Sequence, residues 1–299
     1  MRLDAEAVGH AVIEQAVGSG PAILIEMTRQ FGDVLHSTLV VRHYRATQKE
    51  KVVWAISEAY ADAFSNFVPD VLGPHAIARL PELPPFPDDA PARIAWVRLA
   101  AQIPGVRAIG CGVHPWGWKR GDIVSAILEN AGISTLCVPR RPWIPLDAGD
   151  IAWADDFVQR NRLANGFLAL EYRSLSLGSR DPQWFAALAR RLPLPIVTLG
   201  ARTDPYVANT IDGRGTTFRQ AKALITRSSC FVGCGSGLSV LATSDGCEQP
   251  MVEFIDPSLS AVGIGYRSQS ARHAVLSWES VNAVEVIRDM LHSDPRHGK

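Results

Sequence analysis

The run Cys230-Phe231-Val232-Gly233-Cys234-Gly235-Ser236-Gly237-Leu238-Ser239 sets a short apolar stretch directly before five residues with almost no side chains. Such spacing predicts a strand that turns into a helix. The first N–H groups of that helix and its positive dipole end favour a phosphate or another anion. Gly235, Ser236, Gly237, Leu238 and Ser239 are therefore candidate phosphate-binding residues. The same spacing also suits a tight turn that binds nothing. It is not a Walker A loop, because no Gly-Lys-Ser/Thr occurs, and Leu238 stands where a dinucleotide fingerprint needs its third glycine. Cys234, two residues before Ser236, excludes a nucleophile elbow, which needs glycine there.

Arg173 and Arg180 flank a serine- and glycine-containing loop after a predicted strand. Guanidinium forks match phosphate oxygens and keep their charge at any pH, so they can neutralise a leaving diphosphate without a metal; solvated surface arginines are the alternative. No Asp-x-Asp is present, so no metal-bridged diphosphate is implied. Asp33 falls in the first turn of a predicted helix, just beyond a strand. A carboxylate there can serve as a base, or simply complement the helix N-terminus for about 0.3–1 kcal/mol. His36 lies on the same helix. His114, Trp116 and Trp118 sit in one loop, where aromatic faces beside polar donors suit a sugar ring or a flat acceptor. Those tryptophans can equally pin the loop to its own domain. Glu171 and Glu253, at strand ends, are acids that a ribose could meet.

The elements that must position these residues alternate. In the first half, apolar runs and helical periodicity predict a helix over 3–17, a strand over 22–25, a helix starting near Gly32, a strand over 52–56 and a helix over 58–67. A proline-rich irregular stretch, 69–91, follows around a short helical piece at 76–80. Then come a helix over 94–101, a strand over 106–110, a helix over 122–130 and a strand over 134–138. Three prolines within Pro139–Pro145 mark the interdomain link. Beyond it lie a helix over 150–161, a strand over 167–171, a helix over 182–192 and a strand over 196–199. A helix over 217–226, the glycine turn, a strand over 251–255 and an amphipathic helix over 277–291 complete the chain, with a frayed tail over 295–299. This order implies α/β architecture with two parallel, doubly wound sheets.

Bulk properties narrow the function classes. A chain of 299 residues, 47% hydrophobic and 20% charged, suits two globular cores. Thirty Lys+Arg against thirty Asp+Glu give zero formal charge, which provides no long-range attraction for nucleic acid or an anionic membrane. No run of about eighteen apolar residues predicts a membrane span, and the N-terminus lacks the apolar core of an export signal. Five scattered cysteines fit a reduced, cytoplasmic chain. These features disfavour a periplasmic-type binding protein, and the missing fingerprint disfavours an NAD-dependent dehydrogenase.

Two segments carry a family resemblance. Phe31-Gly32-Asp33-Val34-Leu35-His36-Ser37-Thr38 resembles the Gly-Asp-hydrophobic-hydrophobic segment of the glycosyltransferase family 9 heptosyltransferases, and Ala223 through Ser239 resembles their donor loop. Leu170–Trp184 occupies the place of their phosphate-binding region, and Phe254-Ile255-Asp256-Pro257 resembles the strand end that follows. The resemblance implies the GT-B fold, two Rossmann-like domains facing across a cleft. An acceptor-binding domain would span 1–145 and a nucleotide-sugar-binding domain 146–276. The helix and tail at 277–299 would pack back across the domain interface.

It also implies a metal-independent, inverting transfer of a heptose or hexose from a nucleotide diphosphate sugar, with Asp33 as the base. No cofactor would be needed. The hydroxyl acceptor would be a glycolipid core, a protein or a natural product, and a homo-oligomer or a partner subunit is compatible with the sequence. Two family positions differ: Gly235 stands for an acid and Val240 for a histidine. An altered donor, a non-catalytic partner subunit, or an epimerase or hydrolase of the same fold are the alternatives.

Overall fold

A computed structural model of the chain describes residues 2–27, 30–64, 77–80, 95–111, 123–134, 141–174, 178–255 and 272–292. The chain divides into two compact units, Met1–Pro145 and Leu146–Lys299.

The first unit contains α1 (Arg2–Val17), β1 (Ala22–Met27), α2 (Phe31–Thr47), β2 (Lys51–Ser57) and α3 (Glu58–Ala61), the last running into a 3-10 turn over Asp62–Phe64. β3 (Ile77–Leu80), α4 (Ala95–Ala100), β4 (Val106–Gly110) and α5 (Ile123–Asn130) follow. Its sheet runs β3-β2-β1-β4, with every described pair parallel. β1 is central and buried along its whole length, which is why it reads as a continuous apolar run rather than an alternating one. The expected helical piece at 76–80 is instead strand β3. Ala78 and Leu80 are buried while Arg79 is exposed, a period of two that docks on β2 and overrides the local helix propensity.

α2 departs from an amphipathic pattern. Phe31 through Val41 are all buried, so its polar side chains must find partners inside. Ser37 Oγ donates to the Val34 carbonyl at 2.7 Å and accepts from Trp54 Nε1 at 3.0 Å. Thr38 Oγ1 donates to the Leu35 carbonyl at 2.6 Å and accepts from the Trp143 N–H at 3.0 Å. Back-bonding to the preceding turn thus lets hydroxyls sit in a buried helix. On the other face of the sheet Trp96 of α4 is buried against α1, where Gly9 leaves room for its ring. A Cβ at Gly9 would lie 1.9 Å from Trp96 Cζ3.

The second unit contains α6 (Ala148–Arg160), β5 (Leu168–Leu170), the hairpin β6 (Arg173–Ser174) and β7 (Gly178–Ser179), α7 (Pro182–Ala189) and β8 (Ile196–Thr198). Then come β9 (Ile211–Asp212), α8 (Phe218–Arg227), β10 (Cys230–Gly233), α9 (Gly237–Ala242), β11 (Met251–Ile255), β12 (His273–Ser277) and α10 (Ala283–His292). Its described strands run β12-β11-β10-β5-β8-β9, all parallel. Asp147 and Asp150 form a capping box on α6, and both bind the buried Arg219, with Arg219 Nε 2.7 Å from Asp150, which ties α6 to α8. The final helix starts at Ala283, not Ser277, because His273–Ser277 extends the sheet edge. Ala283, Val284, Ile287 and Leu291 of α10 join the core of this unit with Phe185, Phe254 and Trp278.

Both sheets have a point where the chain reverses its direction of growth. In the first unit it lies between β1 and β4; in the second it lies between β5 and β10. Ligands of open α/β sheets bind beyond the carboxyl ends of the strands at such points.

Candidate functional site

In the first unit, β1 ends at Met27 and α2 begins at Phe31, so Asp33 occupies the first turn of the helix next to the switch point. Its side chain is buried, as is that of His36 one turn on. The sequence pattern and the structure therefore agree on where Asp33 stands. His114, Trp116 and Trp118 lie outside the described residues.

In the second unit the glycine turn has the expected form: β10 through Gly233, then α9 from Gly237. Gly235 has φ +72°, a left-handed conformation that glycine adopts without penalty. Gly233 is needed for a different reason. A Cβ there would come within 2.5 Å of both Ser239 Oγ and Phe231 Cε1. Ser236 is the N-cap of α9, its Oγ accepting from the Leu238 N–H at 3.0 Å. Ser239 Oγ accepts from the Gly235 N–H at 3.1 Å. Two of the hydroxyls and two of the N–H groups expected to meet a phosphate are thus engaged within the turn.

Both hydroxyls converge on Glu171, the first residue past β5. Ser236 Oγ donates to its Oε1, and Ser239 Oγ lies 3.5 Å from its Oε2. The Glu171 N–H donates to the Val232 carbonyl at 2.8 Å, so the backbone that carries this acid is fixed beside β10. Burial pushes the Glu171 carboxyl up to about 8, with the negative charges of Glu253 and Asp204 adding to the rise while the two serines oppose it. On sequence alone Glu171 is an acid at a strand end that a ribose could meet, and the structure sets it against Ser236 and Ser239. Its signal, an acid just past a buried strand opposite a serine-bearing turn, was present but pointed to no partner. At the turn itself Gly235 offers no acid, and the structure brings a carboxyl to the two serines from the neighbouring strand.

Around this group lie further buried ionisable residues. Glu253 of β11 is fully buried and pairs with His273 Nε2 of β12 at 2.8 Å. Burial, and then the two glutamates, push the Cys234 thiol well above its usual range, which removes thiolate chemistry at this position. Among the described residues, no group of three or more His, Cys, Asp or Glu side chains is arranged to hold a metal ion.

The two arginines stand at either end of the β6–β7 hairpin and are differently held. Arg173 of β6 pairs with Asp204 at 2.7 Å and stays partly exposed. Asp204 in turn accepts from the Ala201 N–H at 2.8 Å. The Arg180 guanidinium lies 6.0 Å from the Trp278 ring centre, a cation–π distance. A diphosphate at Arg173 would have to share or displace Asp204.

No protein-family profile and no curated protein sequence matches the chain. Solved structures do. A glycosyl transferase family 9 structure from Veillonella parvula superposes with a TM-score of 0.63 at 14% identity, over 90% of this chain and 89% of that one. The E. coli ADP-heptose lipopolysaccharide heptosyltransferase II gives a TM-score of 0.62 at 15% identity, over 91% of this chain and 98% of its own. An E. coli heptosyltransferase solved with ADP gives 0.55 at 14% identity, over 90% and 99%. The fold is the GT-B glycosyltransferase fold, as the two sequence segments imply. Among the described residues no helix is long and apolar enough to cross a membrane.

Proposed function

We propose that this protein is a glycosyltransferase that moves a sugar from a nucleotide diphosphate sugar to a hydroxyl acceptor, with inversion and without a metal. One observation carries the reading: a GT-B fold across nine-tenths of the chain, with an acid, Asp33, on the first turn of the helix beyond the central strand of the first unit. Asp33 takes the proton of the acceptor hydroxyl as that oxygen attacks the anomeric carbon from the face opposite the leaving group. The bond to the diphosphate breaks as the new glycosidic bond forms. Arg173 and Arg180 neutralise the departing diphosphate, supported by the β10–α9 turn. The sugar is a heptose or a hexose, and the acceptor is a glycolipid core, a protein or a natural product. The protein works in the cytoplasm, where nucleotide sugars are made.

A second reading is favoured by the turn itself. Its two hydroxyls and the N–H groups of Gly235 and Leu238 are satisfied internally, as in a partner subunit that keeps the fold without turning over a donor. Thermal unfolding against a panel of nucleoside diphosphates, with and without magnesium, separates the two. A ligand at about 100 times its dissociation constant stabilises the fold by about 2.7 kcal/mol. Stabilisation by one diphosphate without metal, followed by transfer of labelled sugar with inverted stereochemistry to an acceptor from a panel, supports the transferase. Stabilisation without any transfer supports the partner subunit.

A further inference from the structure

Arg173 and Arg180 are offered to the same diphosphate, but among the described residues only Arg173 is paired with an acid. We propose that Asp204, in the loop after β8, competes with the bound diphosphate for Arg173 and so sets how readily the product diphosphate leaves, a role that rests on the transferase reading.

Asp204 is fixed where it stands. Its Oδ2 accepts from the Ala201 N–H at 2.8 Å, its own N–H donates to the Ala201 carbonyl at 3.0 Å, and its carbonyl accepts from Arg214 Nη1. Arg214 is held in turn by both oxygens of Asp212, at 2.8 and 2.9 Å. Gly200 leaves the room that the carboxylate needs, since a Cβ there would lie 2.7 Å from Asp204 Oδ2. The Tyr172 hydroxyl donates to the Pro205 carbonyl at 2.6 Å, which ties the residue before Arg173 to the residue after Asp204. This carboxylate cannot follow a ligand.

Arg173 is the movable partner. It gives Asp204 one nitrogen, Nη1, at 2.7 Å, and its side chain is 44% exposed against 12% for Asp204. Such a pair holds weakly, because solvent screens it and a long side chain must be ordered to make it. The guanidinium therefore changes partners easily, and a diphosphate offers it oxygens that suit its fork. With a diphosphate on Arg173 the fixed carboxylate repels the ligand, and when the ligand moves outward Asp204 takes Nη1 back. The product's terminal phosphate carries about −1.5 to −2 at pH 7, more than the same group esterified in the donor, so the repulsion falls hardest on the species that must leave. Arg180 meets no such rival. The Trp278 ring beside it attracts a cation without bearing a charge of its own.

The test is isothermal titration of the full-length protein with ADP, UDP and GDP, followed by stopped-flow dissociation of whichever binds. Asp204→Asn should bind roughly tenfold more tightly, mostly through slower dissociation, a one-charge effect at partly screened range. Asparagine keeps an oxygen for the Ala201 N–H, and Asp204→Ser, which removes the same charge, should shift affinity in the same direction. In an Arg173→Gln background the gain from Asp204→Asn should shrink to about twofold or less, because the contested group is gone. Weaker or unchanged binding in Asp204→Asn and Asp204→Ser, or an equal gain in the Arg173→Gln background, overturns the competition and leaves the transferase reading standing. Absence of binding by wild type and every variant overturns the donor reading, and the role of Asp204 with it.

Discussion

In the first unit the acid beyond the central strand rides on a helix; in the second it is carried by the strand end itself. Asp33 sits within α2, six residues past the end of β1, and its position follows from the helix start. Glu171 is held by Ser236 and Ser239, which lie 65 and 68 residues further along the chain. Both acids are buried beside a point where the sheet changes direction. The difference teaches that burial of an acid at a switch point does not by itself nominate a base. Both oxygens of Glu171 are taken up by Ser236 and Ser239, and burial raises its carboxyl to about 8, which leaves little carboxylate near pH 7 to act as a base. Asp33 is the acid to test as the base.

The largest effect expected is on turnover. Asp33→Asn should lower sugar transfer by about 10²–10⁴-fold, the range for a lost general base, while leaving diphosphate affinity unchanged. Glu171→Gln should retain transfer at pH 7. Labelled-sugar transfer and calorimetry on both variants would reverse the comparison if the losses fell the other way round.

Stability against pH sharpens the contrast next. The Glu171 carboxyl is raised from an ordinary 4.5 to about 8 on folding, so the folded state binds the extra proton between those values. That contribution is fully present below about pH 4.5 and is lost as pH rises through about 8, a change on the order of 3–5 kcal/mol. Chemical denaturation from pH 5 to 9 should show wild type weakening over this span more than Glu171→Gln does. Equal slopes for the two proteins would mean that the acid is not titrating where its burial puts it.

Two glycines then probe the packing behind each region. Gly233→Ala drives a methyl group into Ser239 Oγ and the Phe231 ring, and Gly9→Ala drives one into the buried Trp96 ring. Each should cost about 1–3 kcal/mol by overpacking. Gly233→Ala should also weaken diphosphate binding, because it displaces Ser239, whereas Gly9→Ala should not. Denaturant midpoints and calorimetry on the same samples separate the two.

The smallest effect belongs to Arg173→Ala. Its ion pair with Asp204 is partly exposed, so its loss should change stability by less than about 1 kcal/mol. Diphosphate affinity should nonetheless fall, and an unchanged affinity would remove Arg173 from the donor site.

Local patterns made much of the architecture legible. β1, β2, β5, β8, β10 and β11 are runs of buried, mostly apolar residues, and α8 announces itself through the Thr217–Gln220 capping box. β3 and β12 were not legible, since a four- or five-residue edge strand carries too weak a periodicity to outweigh helical alternatives until a neighbouring strand is there to pair with it.

By itself the sequence determined the alternation of strands and helices, the break at Pro139–Pro145, the place of Asp33 and the shape of the glycine turn, because each depends on neighbours a few residues away. Only the tertiary structure decided that Glu171 closes that turn, that Glu253 meets His273, and that Arg173 is held by Asp204. Those pairings join residues 20 to 68 positions apart across adjacent parallel strands and the loops beyond them. In a parallel sheet such neighbours come together only after the crossovers between them have folded, so nothing local in the chain records which acid will meet which partner.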